Sequence, residues 1–310
     1  MKRYQVISLL LKSMKTHFIC LPFLLLPFLI YSVQAKIPQV EFRFEGAFEK
    51  PQKNKLRQWL RHELKTVQQG VGFFPEQQIF FLIKRATHNR EPVPWAYVER
   101  AQPPGVIFYV SPTFSMQAFL NDWTAVHEIS HLLIPYPGQS GTWFTEGLAT
   151  YYQNVLHARS GILSPKQAWQ KIQSGFRRGL AQTKKQKSDF LQANQHMHTS
   201  RSYMRVYWTG TAFFLEADFR LRTQTPDWTL DLVLKELNTC CRHQRKVWST
   251  ELLIHHFDQI SHTKIFSSQW QAFKQMKGFP DVEKWLLLQD ISHRKQEPTR
   301  VISAIFAPQK

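Results

Sequence analysis

The sequence predicts an α+β fold: a small N-terminal sheet packed on a helix that carries two histidines, then a mostly helical C-terminal part. Three observations lead there. Strand-like runs are confined to the first 114 residues. The pattern His127-Glu128-Ile129-Ser130-His131 lies in a stretch of helical spacing. From Trp143 onward, apolar residues keep returning at helical intervals.

The elements follow in order. Lys2, Arg3, Lys12 and Lys15 precede an almost wholly apolar run at 18–33, and Val33-Gln34-Ala35 reads as a small-residue cleavage site. Residues 1–35 are therefore read as a signal peptide or membrane anchor. The apolar core is shorter than the ~20 residues of a membrane-spanning helix and holds Pro22 and Pro27. Export is the expectation, to a periplasmic or secreted location, with the chain either released or held at the membrane by 18–33.

Residues 36–114 form the sheet part. Val40, Phe42 and Phe44 alternate as a strand, Leu56, Leu60, Leu64 and Val67 mark an amphipathic helix over 55–68, and 79–83 and 106–110 are short apolar strands. A peptide could add to the edge of such a sheet. Residues 115–290 form the helical part, and 291–310 read as a loose tail.

Phe119, Leu120, Trp123, His127, His131 and Ile134 share one helical stripe, ended by Pro135 and Pro137. Positions i and i+4 on a helix face the same way, so His127 and His131 can hold one ion. Glu128 sits beside them, where a carboxylate can accept a proton from an attacking water. A catalytic zinc takes three protein ligands and keeps one position open. Glu146, in the first turn of a second helix over 143–156, supplies the third. The bland reading, two core histidines and a helix-start glutamate, leaves several buried polar groups without partners. Thr150, one turn beyond Glu146, faces the same way. It is a candidate to steady a ligand, or else a helix threonine bonded to its own backbone.

With Glu146 in place, the chain resembles the gluzincin zinc metallopeptidases, which share a thermolysin-like (zincin) core. It is most similar to the aminopeptidase N and glycyl aminopeptidase families. Trp143-Phe144-Thr145-Glu146-Gly147-Leu148-Ala149-Thr150-Tyr151-Tyr152 carries the likeness, with Tyr207-Trp208-Thr209-Gly210 downstream and Leu230 to Leu234 in place of a following short helix. The resemblance implies a thermolysin-like core over roughly residues 115–290, one zinc per chain on His127, His131 and Glu146, and Glu128 as general base. It also implies that the Tyr207 hydroxyl stabilises the transition state, and that the substrate is a peptide or protein. Three features depart from the family. The loop between His131 and Glu146 is shorter, Thr209 stands where the family has lysine, and Gly105 to Val110 lacks the Gly-x-Met-x-Asn that grips a free amine. That last departure bears on aminopeptidase activity and not on zinc chemistry.

Composition narrows the partners. Forty Lys and Arg against 22 Asp and Glu give a formal charge of +18, four of the basic residues lying in the leader. Such a balance suits an anionic membrane or envelope surface. No nucleic-acid motif accompanies it, so no specific nucleic-acid partner is expected. The basic run at 171–187 reads as a solvated helix end and loop. His196 and His198 read as solvent-facing, within a polar segment at 183–203 that reads as a mobile flap over the cleft. Beyond the leader the only cysteines are Cys240 and Cys241, read as unpaired because neighbours bridge poorly. The competing functional reading is a catalytically weak or inactive zincin-fold binding module of the cell envelope. The intact Glu128 argues against it.

Overall fold

A four-stranded sheet roofs a stack of helices, and the strand nearest the two histidines is one that alternation alone does not reveal. The computed structural model describes residues 37–88, 90–245, 247–288 and 297–308. The leader at 18–33 and the stretch 289–296 lie outside them. The described part opens with β1 (Gln39–Glu45), α1 (Lys50–Val71), β2 (Gln78–Arg85), β3 (Trp95–Glu99) and β4 (Gly105–Val110). The sheet order is β1-β2-β4-β3: β1, β2 and β4 run parallel, and β3 returns antiparallel as an edge. Central β2 and β4 are buried along most of their length, as parallel strands covered on both faces must be. Short β3 has only Ala96 fully inward, with Trp95 and Tyr97 exposed. That weak alternation hides it from the sequence.

Helix α1 buries Leu56, Trp59, Leu60, Leu64, Val67 and Val71 on one stripe. Trp59 meets Phe108 of β4 at 5.6 Å and Phe119 at 4.8 Å, which seats the sheet on the next helices. These are α2 (Met116–Asn121) and α3 (Thr124–Ser130), the latter continued by a tight 3-10 turn at His131–Leu133. The single helix expected across 119–134 is thus two. Asp122 is the cause: its backbone is extended (ψ 130°) and its carboxylate accepts from the Thr124 N–H at 2.8 Å, capping a new helix start.

Helices α4 (Thr142–Arg159), α5 (Pro165–Thr183), α6 (Phe190–Gln195), α7 (Met197–Ser200), α8 (Tyr203–Gln224), α9 (Leu230–Cys240), α10 (Thr250–Ser261), α11 (Ile265–Lys274), α12 (Glu283–Leu287) and α13 (Glu297–Phe306) complete the described chain. None of the described helices is long and apolar enough to cross a membrane.

Helices α4 and α8 cross backbone on backbone. A Cβ on Gly210 would lie 2.2 Å from the Trp143 carbonyl oxygen and 2.7 Å from the Gly147 Cα. Both glycines belong to the motifs that carry the family resemblance, and only glycine permits this approach. A buried polar network ties the same helices to α9. Tyr151 donates to Asp218 at 2.7 Å, Tyr152 donates to Asp231 at 2.8 Å, and Arg159 makes two contacts with Asp231 at 3.0 and 3.1 Å.

Three expectations are corrected. Residues 297–306 are a helix, not a loose tail: Val301, Ile302, Ile305 and Phe306 are buried, and Arg159 Nε donates to the Ile305 carbonyl at 2.9 Å. Cys240 and Cys241 form a disulfide with each other. The helix ends there, with Cys241 at φ −134°, ψ −26°, outside the regular helical geometry that would hold the two sulfurs apart. The polar stretch at 183–203 is anchored, not a free flap. The Asn194 side chain accepts from the Trp143 N–H at 2.8 Å and donates to the Ser140 carbonyl at 2.9 Å, satisfying backbone groups at the start of α4.

Candidate metal centre and active site

His127 and Glu128 project from α3, and His131 follows at its end. The His131 N–H still donates to the His127 carbonyl, so the i to i+4 turn survives the change to 3-10 geometry. The two imidazoles lie 4.9 Å apart between ring centres, nearly perpendicular. Glu146, one turn into α4, enters from the opposite wall. Its Oε2 is 3.1 Å from His127 Nε2 and 3.6 Å from His131 Nε2. Two ligands each ~2.1 Å from a tetrahedral zinc lie roughly 3.4 Å apart. The two distances from Glu146 to the imidazoles are therefore those of a zinc-sized tetrahedron, and the donor set fits the ion.

Glu128 also lies within 4.8 Å of both imidazoles. It makes no close contact with either, which separates its role from that of Glu146. Electrostatics separates them further. Burial alone would raise Glu146, yet His131, His127 and the Tyr207 hydroxyl together hold its carboxyl down at about 2. Burial pushes Glu128 up to about 7, only partly opposed by His127. One carboxylate is thus fixed as an anion, as a ligand must be, and the other is poised to exchange a proton near neutrality. Burial also lowers His131 to about 3, keeping its imidazole neutral.

His127 Nδ1 lies 2.8 Å from Gln153 Oε1. A carbonyl oxygen can only accept, so Nδ1 carries a proton. Nε2 donates to Glu146 Oε2 at 3.1 Å and would give up that proton to ligate an ion. The sequence points to Thr150 for this steadying role, but Thr150 Oγ1 is buried without a hydrogen-bond partner. Gln153 takes the place. It lies on the same face of α4 as Glu146 and Thr150, and its longer side chain reaches the ring.

The α4–α8 crossing sets Tyr207, one turn before Gly210, against Glu146. Its ring stacks on His127 at 6.2 Å, and burial together with the Glu146 anion pushes its hydroxyl well above the usual phenol range. Tyr207 is therefore protonated and able to donate. His198, on α7, is occupied by the Tyr203 hydroxyl at 3.1 Å.

These groups line a cleft of about 710 Å³ walled by β3. Arg100, just beyond β3, is a site residue the sequence gives no motif for. Its Nη2 donates to the His131 carbonyl at 3.3 Å, its guanidinium lies 5.3 Å from the Tyr136 ring, and burial pulls it down to about 10. The strand facing the histidines is β3 and not β4, the strand that precedes the histidine helix in sequence. Trp95-Ala96-Tyr97-Val98-Glu99 lacks Gly-x-Met-x-Asn as well.

Fold and site geometry together resemble those of the gluzincin-type zinc metallopeptidases. The profile of the M61 glycyl aminopeptidase family matches residues 137–212, the stretch that carries Glu146, Gly147, Tyr207 and Gly210. Among solved structures, the chain is similar to an aminopeptidase N family protein from Idiomarina loihiensis. The TM-score is 0.58 at 18% identity, over 80% of this chain and 47% of that one. It is also similar to an M1 zinc metallopeptidase from Deinococcus radiodurans, with TM-score 0.50 at 13% identity, over 79% and 51%. A two-domain M1 zinc metallopeptidase, in a mutant form bound to L-tryptophan, matches with TM-score 0.50 at 15% identity, over 80% and 51%. The chain spans about half the length of the structures it matches. No curated protein matches it in sequence.

Proposed function

We propose that this chain is a zinc-dependent peptidase that hydrolyses peptide bonds with Glu128 as general base. The observation that carries the reading is Glu146 Oε2 touching both imidazole Nε2 atoms at tetrahedral-edge distances, with Glu128 beside them and uncommitted. His127, His131 and Glu146 would hold the zinc ion, which when bound would supply Lewis acidity toward a carbonyl oxygen and a water.

The side chains supply the remainder. Glu128 accepts the proton of the attacking water and returns it to the departing amine. Tyr207 donates to the oxygen on which negative charge develops. Gln153 keeps His127 in its ligating tautomer. Exposed edge strand β3 offers unpaired backbone groups along the cleft, where an extended peptide can add as a further strand.

The charged and then apolar order of residues 1–35 supports export, with that segment cleaved or kept as an anchor.

Metal removal tests the reading. Dialysis of the full chain against a strong chelator is expected to abolish cleavage of a mixed peptide library, and one equivalent of zinc to restore it. Unchanged cleavage after verified metal removal contradicts it.

A further inference from the structure

Beyond Trp123 and Tyr207 lies a second cavity, of about 800 Å³, and those two residues line both it and the catalytic cleft. Two helix faces build it. Thr150, Gln153, Asn154 and His157 recur at helical spacing on α4, continuing the stripe that starts at zinc ligand Glu146. Gln167, Lys171, Ser174 and Arg178 do the same on α5.

The charge of this cavity is one-sided. Its lining contains no Asp or Glu, whereas the catalytic cleft is lined by Glu91, Glu99 and Asp122 besides Glu128 and Glu146. Lys171 and Arg178 are both exposed, and among the described residues neither has a carboxylate within ion-pair distance. Arg178 lies 5.3 Å from the Trp208 ring centre. On α4, Thr150 Oγ1 and His157 Nε2 are buried and have no hydrogen-bond partner. Four amide side chains (Gln153, Asn154, Gln167, Gln170) offer hydrogen bonds to a peptide backbone. A concave, donor-rich wall with unpaired cations selects an anion.

We propose that this second cavity receives a carboxylate-bearing segment of the peptide substrate, paired by Lys171 and Arg178. The chain would then prefer peptides that are acidic on one side of the scissile bond. This rests on the peptidase reading above. The eleven residue steps from Glu146 to His157 span about 16 Å of helix, the length of about five extended residues. The carboxylate therefore falls within about five residues of the cleaved bond. It belongs either to an Asp or Glu side chain or to the C-terminus.

Four matched eight-residue peptides test this. One is neutral and amidated, and one is neutral with a free C-terminus. The other two are amidated, with two Glu residues in either the N-terminal or the C-terminal half. At low salt, at least one carboxylate-bearing peptide is expected to exceed the neutral amide about tenfold in kcat/KM. The free-acid and Glu peptides tell the two carboxylate sources apart. The advantage is expected to shrink as salt rises. In a Lys171→Gln, Arg178→Gln double variant the acidic-to-neutral ratio is expected to fall toward one. Fluorescence anisotropy of the same peptides on zinc-loaded Glu128→Gln protein reads the preference without turnover. Tight acidic binding with no cleavage by wild type would sink the peptidase reading and leave the cavity assignment standing. Cleavage with no carboxylate advantage, or a double variant that keeps the wild-type ratio, overturns the assignment.

Discussion

Glu128→Gln is expected to keep its metal and lose about 10²–10⁴-fold in turnover on any peptide the wild type cleaves. The substitution preserves shape and removes only the proton acceptor. Glu128 is half-buried and is not the carboxylate that bridges the imidazoles, so neither zinc content nor unfolding temperature should change appreciably. Its carboxylate can accept a proton, and burial raises its affinity for one, whereas an amide has no such basicity. Tyr207→Phe is expected to cost about 10²–10³-fold, the usual effect of removing one oxyanion donor. Steady-state kinetics beside metal analysis checks both. A Glu128→Gln protein that cleaves at the wild-type rate would refute the mechanism.

Gly210→Ala is expected to destabilise the fold by about 1–3 kcal/mol or more, although alanine favours a helix over glycine by ~1 kcal/mol. The new Cβ would meet the Trp143 carbonyl oxygen and the Gly147 Cα, backbone atoms with no rotamer by which to move aside. The helices can only separate, and α4 carries Glu146 while α8 carries Tyr207. Turnover should therefore fall toward the Tyr207→Phe level while zinc stays bound. Urea unfolding and single-substrate kinetics are the checks. Wild-type stability would show that the crossing is looser than the structure gives it.

Much of this architecture is legible in the sequence because its causes are local. The histidine pair is set by one turn of helix, and Glu146 by the next helix start. Strands β1, β2 and β4 appear through alternation or apolar runs, and α4 and α8 through period. The features that were missed depend on neighbours distant in sequence. Edge strand β3 is held by pairing with β4 and buries only Ala96 fully, so it leaves little periodic trace. Gln153 and Thr150 are indistinguishable by spacing from Glu146, and only side-chain reach decides between them. Asp122 did carry a signal, an aspartate two residues ahead of Thr124 able to accept from its N–H, but the unbroken apolar stripe outweighed it. The helix over 297–306 is polar at its start and amphipathic beyond, and its burial depends on α4, α8 and α5. The Cys240–Cys241 bridge forms because α9 ends at that point, which spacing cannot show.

The central claim is that His127, His131 and Glu146 hold one zinc. Metal analysis of purified wild type beside His127→Ala, His131→Ala and Glu146→Ala tests it most directly, with each variant first shown folded by circular dichroism. The expected result is one zinc per wild-type chain and a large loss in every variant. Full zinc occupancy in Glu146→Ala, or a wild type that takes up none from zinc-containing buffer, would contradict it.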